Sequence, residues 1–276
     1  MNWKHIFAIT GKDLREVQQN KSALISMIAV PLVFVLLLPL GFIFIPQIFK
    51  LPTQAMAGNL DIKMILERIP EFMKVQLTGL NEMQTLIVLV LGYLFAPMFL
   101  IFPLMISTTI ASESFAGERE RKTLEALLYT PATDAELFLG KVLAAAIPAV
   151  LITWISFVGY TLVLNLAAFP LFGRIWFPLA GWYPLIAWVT PAVTIFGIAI
   201  TVLISTRVQT FMGAYQSSAS TVILVLGLMV GQIAGVLYFS VGVGILLGCA
   251  IWLVDGVLAY FAIRTFNRTR LLISAA

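Results

Sequence analysis

Charged residues make up only 11% of the 276-residue chain, and it holds one histidine, His5, and one cysteine, Cys249. A single cysteine excludes a disulfide framework within the chain, and with one histidine it cannot assemble a Cys/His zinc site or a Cys-His pair. Chemistry that relies on a histidine embedded in a membrane is excluded too, because His5 lies ahead of the first apolar run. The net charge of +4 is too small and too scattered for nucleic acid. Against these shortages stand 61% hydrophobic residues and a mean hydropathy of +1.01. Soluble domains run near 45–50% apolar and about 25% charged, so the lipid bilayer is the natural solvent for this chain.

Six apolar runs are long enough to cross about 30 Å of hydrocarbon, which takes roughly 20 helical residues. They lie at 23–46, 85–110, 138–165, 183–205, 217–237 and 241–263. Continuous runs rather than short alternating ones predict helices and not a membrane β-barrel. The expected fold is therefore an all-α membrane protein, one transmembrane domain over 1–276. Prolines 31, 39, 97, 103, 148 and 191 predict kinks inside the spans. With the N-terminus inside, the inner segments carry twelve of the 17 Lys and Arg residues and the outer ones five. That bias predicts a multi-pass protein of the cytoplasmic membrane with both termini in the cytoplasm. Cleavage after Ala55-Met56-Ala57 is the competing reading of the first span, but its apolar run is longer than the usual 7–15 residues of a signal peptide.

Residues 2–20 place Trp3, Ile6, Phe7, Leu14 and Val17 on one helical stripe, interrupted by Thr10. Lys4, Lys12, Arg15 and Glu16 fall on the other face, with Asp13 at the edge. This predicts an amphipathic helix in the inner membrane interface, with Trp3, Ile6 and Phe7 toward the acyl chains and Lys12 and Arg15 toward water or protein. Membrane lipids are thus expected partners.

Two intramembrane features stand out. Asp255 is the one acid inside a span and must find protein or water. It either binds a cation or proton in a pathway or, the favoured alternative, is neutral and hydrogen-bonded to a neighbouring helix. Gln232 gets the same structural reading. Gly227, Gly231 and Gly235 on the fifth span, like Gly244 and Gly248 on the sixth, recur every four residues and predict close helix approach. The short 238–240 connection favours contact between those two spans, and contact between two copies of the chain is the alternative.

The most informative stretch is the inner loop between spans two and three. It carries Glu118/Lys122 and Arg121/Glu125 pairs four residues apart, a small apolar edge of Leu124, Leu127 and Leu128, a break at Thr130-Pro131, and Thr133-x-x-Glu136, a capping box opening the third span. A short charged helix with a leucine edge, tethered at the membrane surface, is shaped either to dock into a partner or to stand alone. The run Glu118-Arg119-Glu120-Arg121-Lys122-Thr123-Leu124-Glu125-Ala126-Leu127-Leu128, then Thr130-Pro131, Glu136 and Gly140-Lys141, resembles the signature of type-2 ABC transporter permeases. The residue-level likeness covers 113–141, and the architectural likeness nearly the whole chain.

That resemblance implies a permease subunit of an ABC exporter: a homodimer or related heterodimer on two copies of a separate ATP-binding-cassette ATPase, with ATP and Mg held by that partner. It implies that the 113–130 loop is a cytoplasmic coupling helix, with Glu113, Glu118, Arg119, Arg121, Thr123, Leu124, Glu125, Leu127, Leu128 and Pro131 as the ATPase-coupling residues. The substrate would be an amphiphile such as a lipid, glycolipid, peptide or drug, or else sodium. The sequence itself agrees on one point. A P-loop needs G-x-x-x-x-G-K-[S/T], and neither Gly11-Lys12, with Ile6 upstream, nor Gly140-Lys141, with Ala135 upstream and Val142 after, supplies it. An ion-coupled secondary transporter and a membrane scaffold are the alternatives. The first would normally show more intramembrane ionisable groups than one aspartate.

Overall fold

In a computed structural model, residues 1–50, 69–121, 131–208, 210–234 and 238–265 are described. Among them there is no strand. The N-terminal helix α1 is Trp3–Gln19, opened by Asn2, whose side chain accepts from the Lys4 N–H. Six helices are long and apolar enough to cross a membrane: α2 Met27–Ile48, α4 Glu82–Glu120, α5 Asp134–Phe172, α6 Trp182–Ser205, α7 Phe211–Ile233 and α8 Val241–Ile263. A short helix α3, Glu71–Leu77, precedes α4 at the end of the bundle opposite α1.

Helices α4 and α6 form the centre. Of their apolar windows, 72% and 67% are buried, against 17–22% for the other four. Gly197 of α6 sits so close to α4 that a Cβ there would meet the Ser107 hydroxyl at 2.7 Å, and α5 and α8 pack around this pair. Side chains left exposed on the outer helices, such as Ile155, Leu246 and Leu253, are apolar, as a lipid-facing surface requires.

Proline explains most of the irregular helix geometry. Three of the four widened π-helical turns, Val33–Leu37, Val88–Leu94 and Leu185–Val189, lie within a few residues of Pro31 and Pro39, Pro97, and Pro184 and Pro191 respectively. A proline removes a backbone donor and frees a carbonyl one turn back. In α4 the carbonyls around the widened turn are taken by side chains from other helices. Tyr160 Oη donates to the Leu91 carbonyl at 2.7 Å, Trp182 Nε1 to Gly92 at 2.6 Å, and Gln232 Nε2 to Tyr93 at 2.9 Å. Pro97 is the residue that cannot donate to Tyr93, and Gln232 supplies a donor there from α7. Tyr160 and Trp182 belong to an aromatic cluster with Phe99 and Phe177, whose ring centroids lie 5.0–5.5 Å from those of Tyr160 or Trp182.

The glycine expectation needs correction. Gly244 and Gly248 do mark close approach, but to α6: added Cβ atoms would meet the Pro184 ring at 2.9 Å and the Trp188 ring at 2.2 Å. Helix α7 packs on α4 instead. Gly227 faces outward with nothing within 4 Å of its Cβ position; Gly231 is half-buried and Gly235 lies outside the described residues. Gln232, bonded to the Tyr93 carbonyl beside Pro97, fastens α7 to α4.

Candidate coupling junction

The roots of the 122–130 loop are the last turns of α4 and the first turns of α5, and α1 lies across both. Glu118–Glu120 continue α4 through a widened turn at Glu113–Gly117. Thr133 and Glu136 form the expected capping box: the Thr133 hydroxyl accepts from the Glu136 N–H at 3.3 Å, and the Glu136 carboxylate accepts from the Thr133 N–H at 3.0 Å. Thr123, Leu124, Glu125, Leu127 and Leu128 lie outside the described residues. Pro131 is described, and exposed.

Lys141 is the centre of the junction. Its side chain is 1% exposed, and its ammonium donates to Glu118 Oε2 at 2.6 Å, to the Ser114 carbonyl at 2.8 Å and to Ser114 Oγ at 3.1 Å, with Asp13 Oδ2 at 3.4 Å. The Ser114 hydroxyl donates in turn to Asp13 Oδ2 at 2.5 Å. Lys12 closes the other side, 2.6 Å from Glu118 Oε1, 3.4 Å from Asp13 Oδ1 and 3.2 Å from Glu16 Oε1. Burial on its own would lower the Lys12 ammonium. The hydrogen bond and charge of Glu118, with Asp13 and Glu16, outweigh it and hold the group above its ordinary value. Carboxylate oxygens of Asp13, Glu16 and Glu118 lie within 4.8 Å of one another, a spacing that suits a cation. Lys12 already contacts all three, so the positive charge such a cluster asks for comes from the chain itself.

The same geometry corrects the face assigned to α1. Its buried stripe is Ile6, Thr10, Asp13 and Val17, spaced four, three and four residues apart. Ile6 is fully buried against protein, while Trp3 and Phe7 are each 60% exposed and Arg15 is exposed. By pattern alone Thr10 interrupts the apolar stripe and Asp13 falls at its edge, because polar residues normally seek water. Here Thr10 Oγ1 donates to the Ile6 carbonyl at 2.9 Å and is 3.0 Å from the Gly140 carbonyl, which it also serves as donor. Gly140 permits that approach, since a Cβ there would meet Ile9 at 2.8 Å. The Gly140-Lys141 pair thus has two physical jobs, close backbone contact and a buried charge.

Four of the charges assigned to ATPase contact, Glu113, Glu118, Arg119 and Arg121, have partners within the chain, as does Glu120 beside them; Glu125 lies outside the described residues. Glu118 is 1% exposed. Arg121 Nη2 pairs with Glu113 Oε1 at 2.5 Å, Arg119 Nη1 donates to the Ser205 carbonyl at 2.7 Å, and Glu120 accepts from the Phe211 N–H at 2.7 Å. These last two contacts tie the upstream root to the ends of α6 and α7. At the downstream root, Glu136 accepts from the Asn2 N–H at 2.5 Å and lies 3.3 Å from His5 Nδ1. The backbone N–H groups of Thr133 and Asn2, with His5, hold the Glu136 carboxyl down at about 2. Neither Lys141 nor Asp13 was among the coupling residues read from the sequence. The signal that points to Lys141 is a lysine at the inner end of an apolar run.

A family model described as ABC-2 family transporter protein matches residues 7–253. The chain belongs to the ABC-2 transporter family. It is therefore a permease of an ABC-type transporter, an integral multi-pass membrane transport component. No curated protein and no solved structure matches the chain. The family match spans the whole junction apart from Asn2 and His5, and all six membrane helices except the last residues of α8.

Asp255 stands apart from the junction. It is 2% exposed, and among the described residues neither carboxylate oxygen has a hydrogen-bond partner, so the bond to a neighbouring helix expected from the sequence is not made among them.

Proposed function

We propose that this ABC-2 chain is the permease subunit of an exporter in the cytoplasmic membrane, with both termini in the cytoplasm. It works as a dimer on two copies of a separate ATP-binding-cassette ATPase, which holds ATP and Mg. The 122–130 loop, with its leucine edge, enters the ATPase. The observation that carries this reading is the convergence of α1, α4, α5, α6 and α7 on the two roots of that loop, in a chain without a P-loop of its own. A loop whose roots are tied to so many helices can deliver a push to the bundle. The outward face of α7 at Gly227 supports contact with a second copy, since small residues let helices approach closely in lipid. An amphiphilic substrate fits spans whose sequence is apolar apart from Asp255 and the residues of the cytoplasmic junction.

The test is a search of the neighbouring reading frames for an ATP-binding-cassette ATPase, followed by its co-expression with this chain. A purified complex of two permeases and two ATPases by native mass spectrometry, with ATP hydrolysis above that of the ATPase alone, is the expected outcome. A permease that purifies alone under conditions that keep known ABC complexes together contradicts it.

A further inference from the structure

The N-terminal helix holds both roots of the loop at once. At its first turn, the Asn2 N–H and His5 grip Glu136, just after the loop. Seven to eleven residues further along, Lys12 and Asp13 grip Glu118 and Ser114, just before it. At 1.5 Å per residue the two grips lie about 10–16 Å apart along the helix. Lys141 closes the triangle from α5, bonding to Glu118 and Ser114 of α4 and facing Asp13 of α1.

We infer that α1 is a brace that keeps the two loop roots at one separation, with Asp13, Glu118 and Lys141 as the positioning residues that stop α4 and α5 from parting when the loop is pushed. The inference rests on the coupling role proposed above. Buried ion pairs are poor stabilisers, because desolvation offsets most of their attraction and apolar replacements are often as stable. What they supply is resistance to displacement: a shift of about 1 Å leaves a charge buried without its partner, at a cost that apolar contacts do not impose. Thr10 bonded to the Gly140 carbonyl, and Ile9 pressed on Gly140, add backbone contact to the same joint. A joint of this kind cannot absorb a push by splaying, so the push passes into α4, α5 and α1 as one body.

The experiment uses the complex with its ATPase in lipid nanodiscs, in a Cys249→Ser background, with Mg-ATP and vanadate as the probe. No substrate is needed. One nitroxide pair sits on the roots, at Arg121 and Ala135, both exposed. A second pair, at Ala135 and Ile175, spans to the far end of the bundle. In the otherwise unaltered chain the root distance stays narrow and constant when nucleotide is trapped, while the Ala135–Ile175 distance shifts. In Lys141→Met, and in His5→Ala at the half-exposed end of the brace, the root distribution broadens and the population making the shift falls about tenfold, within the usual range of coupling effects. The triple replacement Asp13→Leu, Glu118→Leu, Lys141→Leu separates stiffness from stability, and it serves if Lys141→Met does not fold. It keeps assembly and thermal stability but loses the shift. An apolar triple variant that transmits the shift fully, or roots that part when nucleotide binds, overturns the brace while leaving the coupling reading in place. Absence of any nucleotide-driven shift in the unaltered chain counts against the coupling reading itself.

Discussion

At the scale of single residues, Gly140 and Glu136 carry the most weight for their size. A methyl group on Gly140 would lie 2.8 Å from Ile9 Cβ and 3.2 Å from the Ile6 carbonyl. Gly140→Ala should therefore lower the stability of the purified permease by about 1–3 kcal/mol, the usual range for overpacking. Adding Ile9→Ala should recover part of it, and thermal unfolding of the single and double variants measures both. Unchanged melting of Gly140→Ala means that α1 does not sit this close. Glu136 makes a pH prediction. Its carboxyl is held at about 2, below the ordinary 4.5. A depressed folded value gives stability that is fully present above about 4.5 and is lost as the pH falls toward about 2. A nitroxide at Lys4 should thus become mobile across that window, and in Glu136→Gln it should be mobile already at neutral pH with no further change. Identical profiles in the two proteins would contradict the clamp on Asn2.

Elements were legible where one physical effect dominates. Long apolar runs gave the six spans because nothing but burial in lipid explains them, and the Thr133/Glu136 cap was readable because its spacing has a local cause. The faces of those elements were harder. Thr10 and Asp13 look like the watery side of α1, and only the partners Gly140 and Lys141, about 130 residues away, turn that side inward. Glu118 and Arg119 looked available to a partner protein for the same reason. Gly244 and Gly248 of α8 mark the right kind of contact with the wrong neighbour, α6, and Gly227 of α7 makes none within 4 Å, since a short connection does not decide packing when Gln232 beside Pro97 fastens α7 to α4. That explanation is itself testable. Gln232→Leu removes the side-chain donor to the Tyr93 carbonyl and should cost about 1–3 kcal/mol. In a Pro97→Ala background the helix supplies its own donor, and the same substitution should cost less than half as much. Equal costs in both backgrounds, read by thermal unfolding, would show that Gln232 does not answer the proline.

For the whole molecule, the account has α4 and α6 as a buried centre, lipid-facing helices around them, and one end at which five helices meet the roots of a single loop. With Glu118 buried and Arg119, Glu120 and Arg121 bonded within the chain, the proposed docking assigns affinity to the leucine edge, which lies outside the described residues, since buried apolar anchors rather than rim charges carry it at interfaces. Leu127 is the middle of that edge in the sequence. The most direct measurement of the central claim is co-purification of the ATPase with the Leu127→Asp permease, beside a melting curve of the permease alone. The account predicts that the ATPase is lost while the melting curve stays unchanged. A Leu127→Asp permease that retains its ATPase at the original stoichiometry would contradict it.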